Sequence, residues 1–392
     1  MSFTPRPYQV DAISKAVDFF DSPRKSHGIE ILPTGSGKSV VIANIASEIK
    51  GKTVVFQPSK EILEQNYAKY TSYGYKASIY SASVGEHYID DVTFATIGSV
   101  ANKPHIFRDF RNTIIDECHL VDPEDGMYNR FIKTMSHVKV LGLTATPYRL
   151  ASGSGGAELQ WLTRTTPKVF KDVLYYIQNN VLFDAGHLAP LEYYSFNKID
   201  RTRLAMNSSG TDFTKSSIKD YYRQIDMVNI TIDYARTILT KKKNLLVFCS
   251  LLEDAFKIAK SIPGSAVVSG DTDKVARARI LSDFKSGKIR CVINVGVLTT
   301  GFDFPALEAV LISRSTMSLA LFYQIVGRVM RPFVYPDGSI KKGWVVDLGG
   351  NIDFFGKIET MEICKNSKGE YFIRNQVGGI YRQLTNVPFS KN

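Results

Sequence analysis

Residues 31–39 read Ile-Leu-Pro-Thr-Gly-Ser-Gly-Lys-Ser, an apolar run that enters a glycine-containing turn and then a helical stretch. Pro33, Thr34, Gly35, Ser36 and Gly37 make the turn, and the two glycines let backbone N–H groups face a phosphate. Lys38 has the reach to touch β- and γ-phosphates, and Ser39 can offer its hydroxyl to Mg2+. Leu32 stands where the general phosphate-loop pattern has its first glycine. Residues 114–119, Ile-Ile-Asp-Glu-Cys-His, deliver two adjacent carboxylates at the end of an apolar run, the edge at which α/β sheets bind ligands. Asp116 there would hold Mg2+, and Glu117 would orient and activate an attacking water. Residues 142–147, Gly-Leu-Thr-Ala-Thr-Pro, follow. The chemistry these types and spacings predict is cleavage of ATP with Mg2+.

Those residues need strands to end behind them and helices to start after them. Short apolar runs alternate with amphipathic segments, the pattern of parallel sheets covered by helices, and the pattern occurs twice. In the first half it predicts strands over 28–32, 53–57, 91–96, 112–117 and 139–146. In the second half it predicts strands over 244–250, 266–270, 290–295, 309–313 and 344–348, with helices from Glu253 and Asp273. An early helix starts at Pro7, and its stripe of Ile13, Ala16, Val17 and Phe20 reads as core. Residues 151–156, Ala-Ser-Gly-Ser-Gly-Gly, read as a loop. The run Gly-His-Leu-Ala-Pro-Leu-Glu-Tyr places a domain boundary near His187 to Glu192, giving a first domain over 1–188, a second over 189–350 and an extension over 351–392. Trp161 and the threonines of 163–166 fit no element.

A chain of 392 residues exceeds one ordinary core and suits two α/β domains in tandem. No apolar stretch is long enough to span a bilayer, and the start, Met-Ser-Phe-Thr-Pro-Arg-Pro, lacks the features of a secretory signal, so the cytoplasm is the expected compartment. Cys118, Cys249, Cys291 and Cys364 are scattered without a Cys-x-x-Cys, which predicts reduced thiols and neither a disulfide framework nor a zinc site. Net charge is +11 from 49 Lys and Arg against 38 Asp and Glu, a balance that favours a polyanionic partner.

The order of Gly-Ser-Gly-Lys-Ser, Asp-Glu-Cys-His and Thr-Ala-Thr-Pro resembles motifs I, II and III of superfamily 2 helicases. Residues 292–305, Val-Ile-Asn-Val-Gly-Val-Leu-Thr-Thr-Gly-Phe-Asp-Phe-Pro, are similar to motif V, and residues 324–332, Gln-Ile-Val-Gly-Arg-Val-Met-Arg-Pro, to motif VI. The resemblance implies two RecA-like domains, each a mainly parallel sheet flanked by helices, with a nucleotide site split between them. It implies Arg331 as an arginine finger, Arg328 and Gln324 near the γ-phosphate, and Thr144 and Thr146 in coupling. Arg-Pro-Tyr-Gln, residues 6–9, resembles the family's adenine-reading segment, with Gln9 and Arg6 at the base. Asp303 is implied at the ribose or the domain interface. Nucleic-acid contacts are implied at Gln57, Pro58, Ser59, Thr96, Gly98 and Ser99, then at Ser250, Gly270, Asp271 and Thr299. Small polar residues there suit contacts to backbone phosphates and sugars, without sequence readout.

Taken together, Arg-Pro-Tyr-Gln, Leu-Gly-Leu-Thr-Ala-Thr-Pro-Tyr-Arg-Leu, Gly-His-Leu-Ala-Pro and the motifs above resemble the RadD-type DNA-repair ATPases of bacteria over most of residues 1–350. That resemblance implies branched or partly single-stranded DNA as the partner, with single-strand-binding or recombination proteins as accessories, and a monomer in a bacterial or phage-infected cell. Two features depart from it: the 151–166 segment, and the lack of a Cys-rich, zinc-binding tail before Asn392. A compact phage or mobile-element relative fits both. Three readings remain: a DNA-dependent ATPase that remodels branched DNA, an RNA helicase or double-strand translocase of a defence system, and an ATP-gated nucleic-acid clamp.

Overall fold

The computed structural model describes residues 4–153, 156–299 and 301–388. Contacts divide the chain into two compact units, Met1–Arg149 with Gln160–Ile177, and Leu150–Leu159 with Gln178–Asn392.

The first unit opens on α1 (Pro7–Asp21), whose start at Pro7 and buried Ala12, Ile13, Ala16 and Phe19 match the expected stripe. Its strands are β1 (Gly28–Ile31), β2 (Thr53–Gln57), β3 (Ser78–Ser81), β4 (Glu86–His87), β5 (Val92–Thr96), β6 (Asn112–Asp116) and β7 (Lys139–Thr144). Beyond a two-stranded sheet of β8 (Tyr148–Gly153) and β9 (Gly156–Trp161) comes β10 (Asp172–Tyr176). The eight-stranded sheet runs β10-β1-β7-β6-β2-β5-β3-β4, parallel except between β3 and β4. Every residue of β1, β2 and β6 is buried, as expected for strands covered on both faces. The helices α2 (Lys38–Glu48), α3 (Lys60–Ser72), α4 (Ile97–Val100) and α5 (Met127–Thr134) follow β1, β2, β5 and β6.

The second unit holds a wholly parallel sheet. Its strands are β11 (Leu191–Ser195), β12 (Leu245–Cys249), β13 (Ser265–Ser269), β14 (Cys291–Val295), β15 (Ala309–Ser313) and β16 (Gly343–Asp347), ordered β11-β16-β15-β12-β14-β13. Around it lie α6 (Asn179–Asp184), α7 (Lys215–Gln224), α8 (Met227–Lys241), α9 (Leu252–Ser261), α10 (Lys274–Lys285), α11 (Leu319–Gly327) and α12 (Asn351–Phe355). Asp273 caps α10 by accepting from the N–H groups of Val275 and Ala276. An antiparallel sheet of β17 (Glu362–Lys365), β18 (Tyr371–Val377) and β19 (Ile380–Gln383) ends the described chain. The expected α/β class with two tandem, mainly parallel sheets flanked by helices is borne out.

Two expectations need correction. Ala151 to Gly153 are not loop but continue β8, and Gly156 opens β9; Ser154 and Gly155 lie outside the described residues. Composition reads this run as flexible, but Leu159 and Trp161 on the return strand are fully buried and draw the pair into packing. The second unit also begins at Gln178 instead of near His187 to Glu192. Its anchors are amides that carry no periodic signal: Gln178 bonds both the N–H and the C=O of Ile363, and Asn179 bonds Ile358 O and the Tyr323 hydroxyl.

Candidate active site

The phosphate loop joins β1 to α2. Gly35 and Gly37 have φ of 87° and 84°, left-handed values that favour glycine. A Cβ on Gly37 would also lie 2.5 Å from Gln9 Nε2. Gln9 is 1% exposed, donates from Nε2 to Ser36 O at 2.8 Å and accepts the Arg6 N–H at 2.8 Å, while the Tyr8 hydroxyl donates to the same Ser36 carbonyl at 2.6 Å. Gln9 therefore braces the phosphate loop from inside, a role not read from its resemblance to an adenine contact. Arg6, half-buried, leans on the Tyr8 hydroxyl at 3.4 Å. Pro33, Thr34 and Ser36 are buried, and the Ser36 hydroxyl has no hydrogen-bond partner; Lys38 and Ser39 open α2 half-buried.

Strand order explains how the loop meets the carboxylates. The loop follows β1 and Asp116 ends β6, with only β7 between them, so the two lie about 10 Å apart across two ladder spacings. Lys38 and Glu117 close that span: Nζ is 3.2 Å from Oε1. Glu117 sits at φ 52°, a left-handed conformation that a non-glycine residue holds only where its surroundings enforce it. Asp116 accepts the Glu117 N–H at 2.9 Å and the Asn66 amide at 3.1 Å. Burial and the neighbouring Glu117 charge push its carboxyl above the ordinary range, which a divalent cation would relieve. One carboxylate and the Ser39 hydroxyl fit Mg2+, an oxygen-seeking ion that phosphates and waters complete. Among the described residues no group of three or more His, Cys, Asp or Glu side chains makes an all-protein metal cage.

His119 links this centre to β7. Its Nδ1 lies 3.4 Å from Glu117 Oε2 and 2.9 Å from the Thr144 hydroxyl, which also accepts the Thr146 N–H at 3.0 Å. Burial lowers the His119 pKa, against the pull of Glu117. Cys118 is buried against β7, where a Cβ on Gly142 would meet its Cβ and Sγ at 2.6 Å. Asn66 and His119 went unassigned in the sequence. His119 had a signal in its place beside the acidic pair, whereas Asn66 had none.

In the second unit Gln324, half-buried, lies on α11 and Arg328 caps it. Arg328 is 8% exposed and donates to Phe302 O at 2.5 Å and to Gln324 O at 3.3 Å. Arg331 forms an ion pair with Asp303. Asp303 thus engages an arginine of its own unit, a pairing the sequence did not announce.

The implied nucleic-acid residues all lie at or just beyond the C-terminal ends of strands, but they differ in availability. Gln57 is 0% exposed with neither end of its amide bonded, so it is a core residue in this structure and not a surface contact. Its place as the last residue of the wholly buried β2 is the reason. Ser59 is the cap of α3, accepting the Ile62 N–H at 3.4 Å, beside half-buried Pro58. Thr96 and Ser99 share a hydroxyl bond at 2.9 Å, and Ser99 also accepts the Ala82 N–H. Gly98, Gly270 and Asp271 are exposed; Ser250 and Thr299 are half-buried, and Thr300 lies outside the described residues.

Residues 2–149 match the family model of the type III restriction enzyme res subunit, and residues 230–332 match the helicase conserved C-terminal domain. Both matches are of the kind that superfamily 2 helicases give. The chain is 28% identical over 310 residues to a 51.5 kDa protein of a Lactococcus phage, covering 76% of its own length and 61% of that protein's. It is 25% identical over 362 residues to the DNA 3'-5' translocase XPB2 of Sulfurisphaera tokodaii, covering 83% of itself and 78% of the relative. In fold it is similar to a fragment of a putative HsdR subunit of a type I restriction enzyme from Vibrio vulnificus YJ016, with a TM-score of 0.66, 21% identity, and coverage of 94% and 70%. These matches carry the superfamily and do not reach the narrower RadD-type branch.

Proposed function

We propose that the chain is an ATP-driven DNA motor, a helicase or translocase whose hydrolysis of MgATP remodels branched DNA in repair, recombination or replication. One observation carries the reading: Lys38, Glu117, Asp116, His119 and Thr144 form a single network at or just beyond the ends of three adjacent strands, β1, β6 and the β7 between them. A phosphate that takes Lys38 takes it from Glu117, and Glu117, still steadied by His119, then orients the attacking water. Asp116 and Ser39 would hold Mg2+, and the ion would supply neutralisation of charge on the phosphate oxygens. Arg331 and Arg328 supply positive charge to the γ-phosphate as it transfers, and Gln324 offers a neutral amide beside them. Thr144 and Thr146 relay the state of Glu117 through His119.

DNA is favoured over RNA by the DNA translocase relative, while the net charge of +11 suits either polyanion. Similarity to restriction-enzyme subunits supports a second reading, movement along duplex DNA without strand separation. ATPase assays with single-stranded, forked and duplex DNA and with RNA separate these readings, and a strand-displacement assay tells a motor from a clamp. Arg331→Ala should keep ATP binding and lose roughly 10³-fold or more in turnover. An Arg331→Ala protein that hydrolyses ATP at the parental rate rejects the assigned role of Arg331, and a parent without ATPase activity rejects the motor.

A further inference from the structure

Lys341 is 0% exposed, and a lysine so enclosed needs a partner or a purpose. It stands at the foot of a turn-back that follows Arg331, in which Tyr335 N bonds Ser339 O and Lys341 N bonds Phe333 O, both at 2.9 Å. Its ammonium donates to Pro305 O at 2.6 Å. The same short stretch receives Arg328 at Phe302 O and Arg331 at Asp303. Residues 302, 303 and 305 are thus each held by a cation from residues 328–341. The nearby Glu308 carboxylate is engaged elsewhere, by the Tyr335 hydroxyl at 2.5 Å and the Lys243 N–H at 2.7 Å. Burial and the charge of Arg331 lower the Lys341 pKa to about 7, against the pull of Glu308 and with Lys242 adding to the fall. Burying the ammonium costs stability and its bond to the Pro305 carbonyl returns part of that cost, so folding alone gives little reason for a cation here.

We propose that Lys341 is a positioning residue for Arg331: by fixing the carbonyl of Pro305 it sets the place of Asp303, and by its charge it keeps Arg331 from settling permanently there. The inference rests on the hydrolase reading above.

The test compares the parent with Lys341→Met, which fills the same space without a donor, and Lys341→Gln, which retains an N–H for Pro305. Steady-state ATPase kinetics and melting temperature are measured for all three. Lys341→Met should melt close to the parent, since the regained desolvation of the ammonium offsets the lost bond to Pro305 O, keep KM for ATP within about twofold, and lose kcat by roughly 10- to 100-fold, the effect of a catalytic group misplaced by about an ångström. Lys341→Gln should recover part of that loss. Lys341→Met with parental kcat overturns the inference, and so does a Lys341→Met protein that melts far below the parent, since that marks a structural strut. A parent without ATPase activity removes the hydrolase reading and this inference with it, whereas an active parent beside an equally active Lys341→Met removes the inference alone.

Discussion

Lys38 Nζ lies 3.2 Å from Glu117 Oε1, so the group that would bind phosphate and the group that would activate water neutralise one another. Both side chains are only 13% and 16% exposed, which keeps solvent from screening the pair fully. Any triphosphate at the loop competes with a carboxylate for its lysine.

Glu117→Gln should therefore separate affinity from turnover. Removing the competitor is expected to tighten ATP binding by about fivefold, the worth of an ion pair of about 1 kcal/mol. Loss of the water-orienting carboxylate should lower kcat by roughly 10² to 10⁴. Fluorescent-nucleotide titration beside an ATPase assay measures both, and weaker binding in Glu117→Gln would contradict the competition.

Thr144→Val keeps shape and deletes the hydroxyl that joins His119 to the Thr146 N–H. Leaving those buried partners unpaired should destabilise the protein by about 1–3 kcal/mol in urea denaturation. If Thr144 relays the state of Glu117, stimulation of ATPase activity by DNA should fall as well. A variant with parental stability and stimulation would remove Thr144 from the relay.

Gly142→Ala would bring a methyl to 2.6 Å from Cys118 Sγ and 3.1 Å from Phe170. Backbone on both sides is held in the sheet, so the strain should be relieved at Cys118, one residue from Glu117. A loss of about 1–3 kcal/mol in stability is expected, with a fall in kcat larger than any change in KM. Calorimetry and ATPase kinetics check it, and a Gly142→Ala protein matching the parent in both would show that β7 yields.

Glu30 is fully buried on β1 with both carboxylate oxygens unbonded, and burial pushes its pKa well above the ordinary carboxylate value. The folded state thus holds a proton that the unfolded chain releases at ordinary acid pH. Its favourable contribution is complete below the unfolded pKa and is lost as pH rises toward the folded one, at up to about 1.4 kcal/mol per pH unit. Glu30→Leu should remove that slope, gaining more over the parent at pH 8 than at pH 5. Equal gains at both pH values in urea denaturation would refute a buried neutral carboxyl.

The parts of this molecule legible in the sequence are those where chemistry dictates residue type. Lys38, Asp116 and Glu117 had to follow apolar strands, and all ten strands expected in the two sheets are present, each with ends shifted by no more than two residues. What could not be read depends on partners far along the chain. Asn66 matters because α3 lays it on Asp116, and Lys341 because residues 333–341 fold back onto Pro305. Neither spacing nor periodicity marks such a meeting. β10 was missed for a different reason: all five of its residues are half-buried at the sheet edge, so alternation is blurred. Gln57 misled for the opposite reason, since a polar side chain at a strand end reads as surface and here points into the core.

The placement of the loop and the carboxylates on β1 and β6, with β7 between, makes the hydrogen-bonded backbone the gauge of the catalytic gap. Ladder spacing is a property of peptide geometry, nearly the same for any sequence that forms the sheet. Side chains around the gap are consequently at liberty to drift, and relatives only 25–28% identical can differ at most positions without altering the distance that a triphosphate must fit.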